Sequence, residues 1–264
     1  MKIAVVQTNP VFGESTANVQ RGLGLMEQQK ADLYILPELF NTGYNFEHGR
    51  EVSAMAEAPE GPTYRALARF ARDHRCHLVY GFAEQADRVY NTAALVGPEG
   101  LRGIYRKVHL FDREVLWFAM GDLGFPVFDT PLGLIGVMIC FDWIYPESGR
   151  SLALRGAQII AHPSNLVLPH CPDAMITRCL ENKVFAATAD RVGTEDRGGN
   201  PLTFIGKSQV VSPAGSVLVR LGDEEGVAVV EVDPHEADAK SINEHNDLLR
   251  QRRPDQYTQE VGKQ

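Results

Sequence analysis

Three reactive residue types stand where runs of apolar residues end. Glu38 ends "LYILPE", Lys107 ends "LRGIYRK" and Cys140 ends "LIGVMIC". A thiol is a weak nucleophile until it loses its proton, and a carboxylate within hydrogen-bond reach can accept that proton. A lysine ammonium and a backbone N–H, here that of Phe141, can then stabilise the oxyanion of a tetrahedral intermediate. Together these residues predict hydrolysis through a covalent thiol intermediate.

Each of these residues also has an ordinary explanation. The acid and the lysine could simply be exposed at strand ends, and a single cysteine is more often buried filling than a nucleophile. Glu114, seven residues after Lys107, adds a second acid, and Asn165 ends "QIIAHPSN" at the same kind of position. Asn165 could bind substrate or only fix a turn, and both interpretations stay open. It is the combination of acids, lysine and thiol that favours catalysis.

The elements that must position these residues alternate between strands and helices. Apolar runs of strand length include "KIAVVQ", "DLYILPE", "HLVYGFAE" and "AQIIAHPSN", and helical spacing occurs in "TYRALARFARDH" and "PESGRSLALRG". This order is typical of the α/β class, in which ligands bind beyond the carboxyl ends of the strands. We expect one domain over residues 1–264.

Three further expectations concern the later segments. Residues 173–186, "DAMITRCLENKVFA", are predicted as a helix. Residues 192–202, "VGTEDRGGNPL", are predicted as a flexible loop because they are rich in glycine and polar residues. From about residue 247 we expect a polar, helical C-terminal tail.

Composition and charge narrow the classes of function. The 264 residues carry a net charge of -8, which argues against a general affinity for nucleic acid or an anionic membrane. No stretch approaches the roughly 20 apolar residues of a membrane span, and the first apolar run is too short for a signal peptide. We therefore expect a cytoplasmic protein with a small-molecule partner. The four cysteines of such a chain are not a disulfide framework.

Three short motifs are rejected as carriers of chemistry. "FIGKS" ends like a phosphate-binding loop, but Pro201 stands where the first glycine is required. "HRCH" contains metal-ligand residue types without a second ligand pair at suitable spacing. "GRSLA" lacks the second glycine of a serine elbow, and Ser151 is predicted to lie inside a helix.

The reactive residues lie in motifs with a family resemblance. "LPELFNTGY", "YRKVHLF" and "CFDWIYPE" followed by "HPSN" resemble, in this order, the signatures of the nitrilase superfamily of carbon-nitrogen hydrolases. The resemblance extends from the first strand to about residue 250. It implies a four-layer α-β-β-α sandwich that usually forms a homodimer or a higher homo-oligomer.

The resemblance also implies a role for each reactive residue. Glu38 would be the general base and acid, Lys107 the oxyanion stabiliser and Cys140 the nucleophile. Glu114 falls where the family's supporting glutamate stands. This Glu-Lys-Cys chemistry uses no metal and no organic cofactor, so neither is expected here.

The residues just after Cys140 bear on the substrate. Branches of the family that act on substrates with a carboxylate tend to place an arginine here, where its planar cation can hold the carboxylate by two hydrogen bonds. Trp143 and Ile144 occupy these positions, so a neutral or cationic substrate is expected. Trp143 and Tyr44 are candidate walls of the pocket, although ordinary packing explains either one equally well.

The sequence thus predicts an amidase that releases ammonia from small neutral amides. A nitrilase and an N-carbamoyl-amine hydrolase remain alternatives, because the same triad serves all three reactions. Two alternatives come from other classes: a non-catalytic binding module that keeps the fold, and an acyltransferase that uses the same thioester. The complete set of acid, lysine and thiol argues against the first. The lack of transmembrane segments argues against a lipid-modifying form of the second.

Overall fold

A computed structural model describes residues 1–258 of the chain. The strands are β1 (Lys2–Gln7), β2 (Leu33–Ile35), β3 (His77–Gln85), β4 (Val89–Gly97), β5 (Gly100–Arg106), β6 (Val127–Thr130), β7 (Gly133–Val137), β8 (Ile159–Pro163), β9 (Phe185–Ala189), β10 (Val192–Glu195), β11 (Leu202–Ile205), β12 (Gln209–Val211), β13 (Val217–Arg220), β14 (Gly226–Glu231), β15 (Ser241–Asn243) and β16 (Asn246–Asp247). The helices are α1 (Ser15–Met26), α2 (Gly49–Met55), α3 (Pro62–His74), α4 (Glu114–Trp117), α5 (Pro146–Leu154) and α6 (Cys171–Asn182). Every helix in this part of the chain is too short or too polar to cross a membrane.

Two six-stranded sheets form the centre of the described residues. The first has the strand order β14-β1-β2-β3-β4-β5, and the second has the order β13-β12-β9-β8-β7-β6. β1, β2 and β3 are parallel, as are β7, β8 and β9, whereas the outer strands pair antiparallel. β5 runs in the direction of β2 because two antiparallel pairings separate β5 from β3. The carboxyl ends of β2 and β5 therefore point the same way, as do those of β7 and β8.

Side chains that alternate along the strands build two packed layers around the first sheet. On β1, Val5 faces inward and shares a core with Ile159 of the second sheet. Its neighbour Val6 faces outward and packs in a separate cluster with Val19 of α1 and Phe70 of α3. On the far side, α5 and α6 pack against the second sheet. This order of layers confirms the expected four-layer α-β-β-α sandwich.

The predicted helix over residues 173–186 is wrong at its C-terminal end. α6 stops at Asn182, and Lys183 after it has a left-handed backbone with a φ of 51°. The next residues form β9, which lies inside the second sheet between β8 and β12. A strand buried on both faces lacks the regular polar alternation of a surface strand, so its short apolar start looks like the apolar end of a helix.

The predictions for the loop and for the tail are also corrected. Within residues 192–202, β10 is an ordered strand that pairs antiparallel with β11, so the connecting loop shrinks to residues 196–201. The expected helical tail contains turns and the 3-10 helix Pro254–Gln256 up to residue 258, without an α-helix in that part. Its remaining residues, 259–264, lie outside the described part of the chain.

Gly81 on β3 allows the segment after β2 to approach the sheet closely. A Cβ atom at this position would lie 2.5 Å from Cα of Glu38 and 2.8 Å from the backbone nitrogen of Leu39. Both are backbone atoms, which cannot move aside as a flexible side chain can. The absence of a side chain at Gly81 therefore allows the backbone of Glu38 to lie directly against β3.

We expect Gly81→Ala to lower the free energy of unfolding by about 1–3 kcal/mol, because the new methyl group overpacks against backbone. Displacement of Glu38 should lower activity as well. The matched control is Gly24→Ala in α1, where a Cβ would meet no atom within 4 Å. That change should be neutral or stabilise by about 0.5–1 kcal/mol. Urea denaturation measures both variants, and equal stability of Gly81→Ala and the unmodified protein would contradict the prediction.

Candidate active site

The predicted reactive residues come together just beyond the ends of their strands. Lys107 directly follows β5, and Asn165 lies two residues beyond β8. Glu38 and Cys140 each lie three residues beyond β2 and β7, respectively. Cys140 is thus not the last residue of a strand, as the sequence suggested, but the first residue of the 3-10 helix Cys140–Ile144. The first sheet supplies the acid and the lysine, and the second supplies the thiol.

The Lys107 ammonium lies between two carboxylates. Its Nζ donates to Oε1 of Glu38 and to Oε1 of Glu114, each at 2.7 Å. All three side chains are almost completely buried. Asn91 on β4 also donates to Oε1 of Glu38, at 2.6 Å, and the Tyr44 hydroxyl donates to Oε1 of Glu114, at 2.5 Å. The Oε2 atoms of both glutamates have no hydrogen-bond partner within residues 1–258.

Burial and mutual charge shift the proton affinities of this cluster. Burial raises the pKa of Glu38, the charge of Lys107 lowers it, and the charge of Glu114 raises it again. The resulting pKa is about 7. Burial alone would lower the pKa of Lys107, but Glu114 and Glu38 raise it above its usual value. Burial also raises the pKa of the Cys140 thiol, with Glu38 adding to the effect and Lys107 opposing it. At neutral pH the site therefore holds a protonated thiol, a charged lysine and a partly ionised Glu38.

Tyr44 is held in place by a second buried ion pair. Its backbone N–H and that of Asn45 donate to Oε2 of Glu195, at 3.1 and 2.6 Å. Arg191 pairs with the same carboxylate, and its guanidinium lies 4.0 Å from the centroid of the Phe204 ring. This contact ties the loop after β2 to the hairpin of β10 and β11. As a result, the Tyr44 hydroxyl is directed at Glu114.

Cys140 has a left-handed backbone, with a φ of 41°. Its thiol donates to the carbonyl oxygen of Asn165, with Sγ and oxygen 3.6 Å apart. Among residues 1–258, Sγ makes no direct hydrogen bond to Glu38 or Lys107. A non-glycine residue in this conformation costs about 1–3 kcal/mol, so surrounding contacts must hold it.

Asp142, which the sequence analysis did not single out, holds the turn that carries Cys140. Its buried carboxylate accepts from the Tyr105 hydroxyl at 2.6 Å and from the Ile139 N–H at 2.9 Å. His109 adds contacts from Nδ1 at 2.8 Å and from its backbone N–H at 3.2 Å. Tyr105 and His109 flank the end of β5, so one carboxylate joins the first sheet to the Cys140 turn. The sequence feature that could have identified Asp142 is its place as a carboxylate within the otherwise apolar run "LIGVMICFDWI".

An apolar cavity reaches the thiol of Cys140. Its wall consists of Phe111, Cys140, Phe141, Trp143, Asn165, Leu166, Val167 and Leu168. Asn165 is a polar residue of this wall, and its side-chain oxygen and nitrogen are buried without a hydrogen-bond partner in residues 1–258. Of the predicted binding residues, Phe141, Trp143 and Asn165 line this cavity. Tyr44 lies in a neighbouring pocket with Glu114, on the other side of Phe111.

The motifs rejected at the sequence level have no role in this cluster. After "FIGKS", the chain continues into β12 and not into a helix, and Ser151 lies inside α5. Cys76, Cys140, Cys171 and Cys179 are free, buried thiols. Within residues 1–258, no group of three or more His, Cys, Asp or Glu side chains is arranged to hold a metal ion.

Four packed layers with a buried acid, lysine and thiol beyond the strand ends are what the resemblance to carbon-nitrogen hydrolases implied. Residues 2–240 match the family model described as carbon-nitrogen hydrolase, and the chain belongs to this family. The resemblance inferred from the motifs, to the nitrilase superfamily of such enzymes, is confirmed.

Three relatives illustrate the range of the family. A nitrilase from Pyrococcus abyssi is 50% identical over 263 residues, which cover 97% of this chain and 99% of the relative. An (R)-stereoselective amidase from Pseudomonas sp is 35% identical over 262 residues, 96% of this chain and 92% of that protein. The structure of a mutant of the amidase from Nesterenkonia sp. AN1 matches with a TM-score of 0.80 at 28% identity, over 97% of this chain and 94% of that one. Its active-site cysteine carries the acetamide moiety of fluoroacetamide.

Asp142→Asn tests the link between the two sheets. An amide has a single acceptor oxygen, and its NH2 group would face donors that now meet a carboxylate, so buried groups lose their partners. We expect the free energy of unfolding to fall by about 2–3 kcal/mol, together with a loss of turnover. The control is Asp129→Asn, an exposed carboxylate on β6. Urea denaturation and steady-state kinetics measure the effect. If Asp142→Asn matched the control in both, Asp142 would not hold the Cys140 turn.

Proposed function

We propose that the protein is an amidase that hydrolyses small neutral amides through a thioester on Cys140. The observation that carries this proposal is the buried contact of Lys107 with Glu38 and Glu114 beside an apolar cavity that reaches the thiol. Cys140 is the nucleophile, and Glu38 is the general base and acid. Lys107 and the backbone N–H of Phe141 stabilise the oxyanion.

The first step moves a proton from the Cys140 thiol to Glu38. Because the pKa of the thiol is raised, the resting enzyme holds no standing thiolate, and deprotonation must accompany attack. Oε1 of Glu38 is occupied by Lys107 and Asn91, whereas Oε2 has no partner in the described residues. Oε2 is therefore the atom that accepts the proton. With a pKa of about 7, Glu38 can both take and return a proton near neutral pH.

The second feature that supports the proposed mechanism is the N–H of the Lys107 ammonium that neither glutamate accepts. An ammonium has three N–H donors, and Glu38 and Glu114 accept two of them. The third has no acceptor in the described residues and can donate to the oxygen that becomes negative when sulfur attacks the carbonyl carbon. Glu114 supports this role because it raises the pKa of Lys107 and keeps the ammonium charged. A preformed donor in a dry site is worth about 3–4 kcal/mol of transition-state stabilisation.

The remaining steps use the same carboxyl group twice. Glu38 gives its proton to the amide nitrogen, the C–N bond breaks, and ammonia leaves a thioester on Cys140. A water molecule then gives a proton to Glu38 while its oxygen attacks the thioester carbon. Collapse of the second intermediate breaks the C–S bond, the sulfur regains the proton, and the carboxylic acid departs.

The cavity favours a neutral acyl group. Its wall in the described residues has aromatic and aliphatic side chains and no charged group. A carboxylate on the substrate would be buried without a cation there, because Lys107 is already paired with two carboxylates. Trp143 and Ile144 occupy the positions where related enzymes with carboxylate substrates tend to have an arginine. Arg178 lies nearby, but its guanidinium donates to the backbone carbonyl oxygens of Trp143 and Ile144. Asn165 supplies the polar contact to the substrate.

A nitrilase is the second candidate, and the 50% identical relative that bears this name favours it. We further propose that the enzyme acts as a homodimer. Val115, Leu116 and Met120 beside the site expose much of their apolar surface, which a second copy of the chain could cover.

A substrate panel with ammonia as the readout tests the amidase proposal. Small aliphatic and aryl amides should be hydrolysed, and amides with a distal carboxylate should react more than about tenfold more slowly. Cys140→Ala should abolish turnover, whereas Cys179→Ala, which changes another buried thiol, should retain it. Ammonia from nitriles but not from amides would replace the amidase by the nitrilase. Turnover by Cys140→Ala would exclude Cys140 as the nucleophile.

The raised pKa of Glu38 predicts a pH dependence. As general base, Glu38 must be ionised, so kcat/KM should fall about tenfold per pH unit below a pKa of about 7 and level off above it. Glu38→Gln should lower kcat/KM by about 100-fold or more and remove this acid limb. Rates measured between about pH 5 and 8 test this. A flat profile over that range would contradict the assignment of Glu38 as base.

A further inference from the structure

His162 is a buried titratable group that the proposed cycle does not use. It lies on β8 and is fully buried. Its Nε2 lies 2.9 Å from the carbonyl oxygen of Cys140, and its Nδ1 lies 3.0 Å from the hydroxyl oxygen of Thr188. Thr188 is the residue paired with His162 on the adjacent parallel strand β9. The imidazole therefore spans the space between the second sheet and the backbone of the nucleophile.

The two contacts define one tautomer of the ring. A carbonyl oxygen can only accept, so Nε2 must carry the hydrogen that is donated to Cys140. In the neutral ring Nδ1 is then an acceptor, and the Thr188 hydroxyl donates to it. The Ser164 hydroxyl donates its hydrogen to the carbonyl oxygen of His162. The Ser164 hydroxyl oxygen lies 3.2 Å from Nε2, so it can accept from the same Nε2–H that is donated to Cys140. Every polar atom of the ring thus has a partner.

The ring is neutral in this environment. Burial is the main cause that lowers the pKa of His162, and the charge of Lys107 lowers it further. The hydrogen bond to the Cys140 carbonyl and the charge of Asp142 raise it in part, and the resulting pKa is about 4. Between about pH 5 and 8 the hydrogen on Nε2 is therefore fixed and does not titrate.

The contact acts on the peptide unit between Cys140 and Phe141. In a trans peptide the C=O and the N–H point in opposite directions within one plane. A hydrogen bond that holds the carbonyl of Cys140 therefore also orients the N–H of Phe141 toward the opposite side. The same bond polarises this peptide and strengthens its N–H as a donor. It also restrains Cys140 in its left-handed conformation.

We propose that His162 is a positioning residue for the oxyanion donor. As the neutral Nε2–H tautomer, with Nδ1 accepting from the Thr188 hydroxyl, it holds the Cys140 carbonyl and so directs the Phe141 N–H at the reacting carbonyl oxygen. This inference rests on the proposed function, because it assigns the Phe141 N–H to the oxyanion.

His162→Leu and His162→Gln test the role of the donor. His162→Leu removes it, and kcat on the best amide of the panel should fall about 100-fold while KM changes less than about threefold. His162→Gln places an amide N–H2 at similar reach and should recover kcat to within about tenfold of the unmodified enzyme. A folded His162→Leu enzyme with kcat within about threefold of the unmodified one would overturn the proposal.

The Thr188 pair tests the tautomer without removing the ring. Thr188→Val deletes the hydroxyl at nearly constant volume and should lower kcat about three- to tenfold, whereas Thr188→Ser keeps the hydroxyl and should match the unmodified enzyme. These variants decide the question even if His162→Leu does not fold. Equal kcat in both would overturn the role of Thr188 in the proposal.

The protonated ring nitrogen can be identified by ¹⁵N NMR of histidine-labelled protein, with the His162 signals assigned by their loss in His162→Gln. A proton on Nε2 that persists between about pH 5 and 8 is expected, and a proton on Nδ1 would overturn the inference. This measurement needs no substrate. Absence of amide turnover by the unmodified enzyme, by contrast, would defeat the proposed function whatever the spectra show.

Discussion

The site depends on one buried cation shared by two carboxylates. Each charge of Glu38, Lys107 and Glu114 would cost several kcal/mol to bury alone, so the three can lie in the interior only together. Since Lys107 follows β5, Glu38 follows β2 and Glu114 begins α4, their contact fixes three separate segments. Two carboxylates against one ammonium leave an excess of negative charge, and the raised pKa of Glu38 relieves it. The interaction that orders these segments also gives the cluster a carboxyl group whose pKa of about 7 lies near neutral pH.

Backbone strain next to this cluster is the second constraint. Leu39, directly after Glu38, and Cys140 both have left-handed backbones, with φ values of 46° and 41°. Non-glycine residues keep such conformations only where their surroundings enforce them. Here the enforcement comes from close backbone packing at Gly81 on one side and from the four contacts of the Asp142 carboxylate on the other. Rigid turns of this kind hold the thiol and the acid without a direct bond between them.

The sequence predicted that Glu38, Lys107 and Cys140 follow strands, because each comes after an apolar run, and the structure places each of them within three residues of a strand end. It did not predict their partners, since these are distant along the chain: Asn91 lies 53 residues from Glu38, and Asp142 lies 37 from Tyr105. β9 was mistaken for helix because burial on both faces removes the alternation that marks a strand. The hairpin at Glu195 was mistaken for a flexible loop because its order comes from tertiary contacts with Tyr44 and Arg191. The family resemblance supplied the four layers, which local patterns alone could not.

The chemistry of the triad does not by itself distinguish an amide from a nitrile. In the proposed cycle Glu38 takes the thiol proton and can return it to nitrogen with either substrate, although a nitrile consumes two water molecules on the way to the acid and an amide consumes one. The difference must come from the cavity, whose wall includes Asn165, a residue with side-chain oxygen and nitrogen atoms that are buried without a hydrogen-bond partner in residues 1–258. An amide group can satisfy both, because it has an N–H to donate and an oxygen to accept. A nitrile only accepts, and it would leave the buried oxygen of Asn165 without a partner, at a cost of about 1–3 kcal/mol. The polar content of the cavity, more than the triad, is therefore what supports the proposed amide substrate.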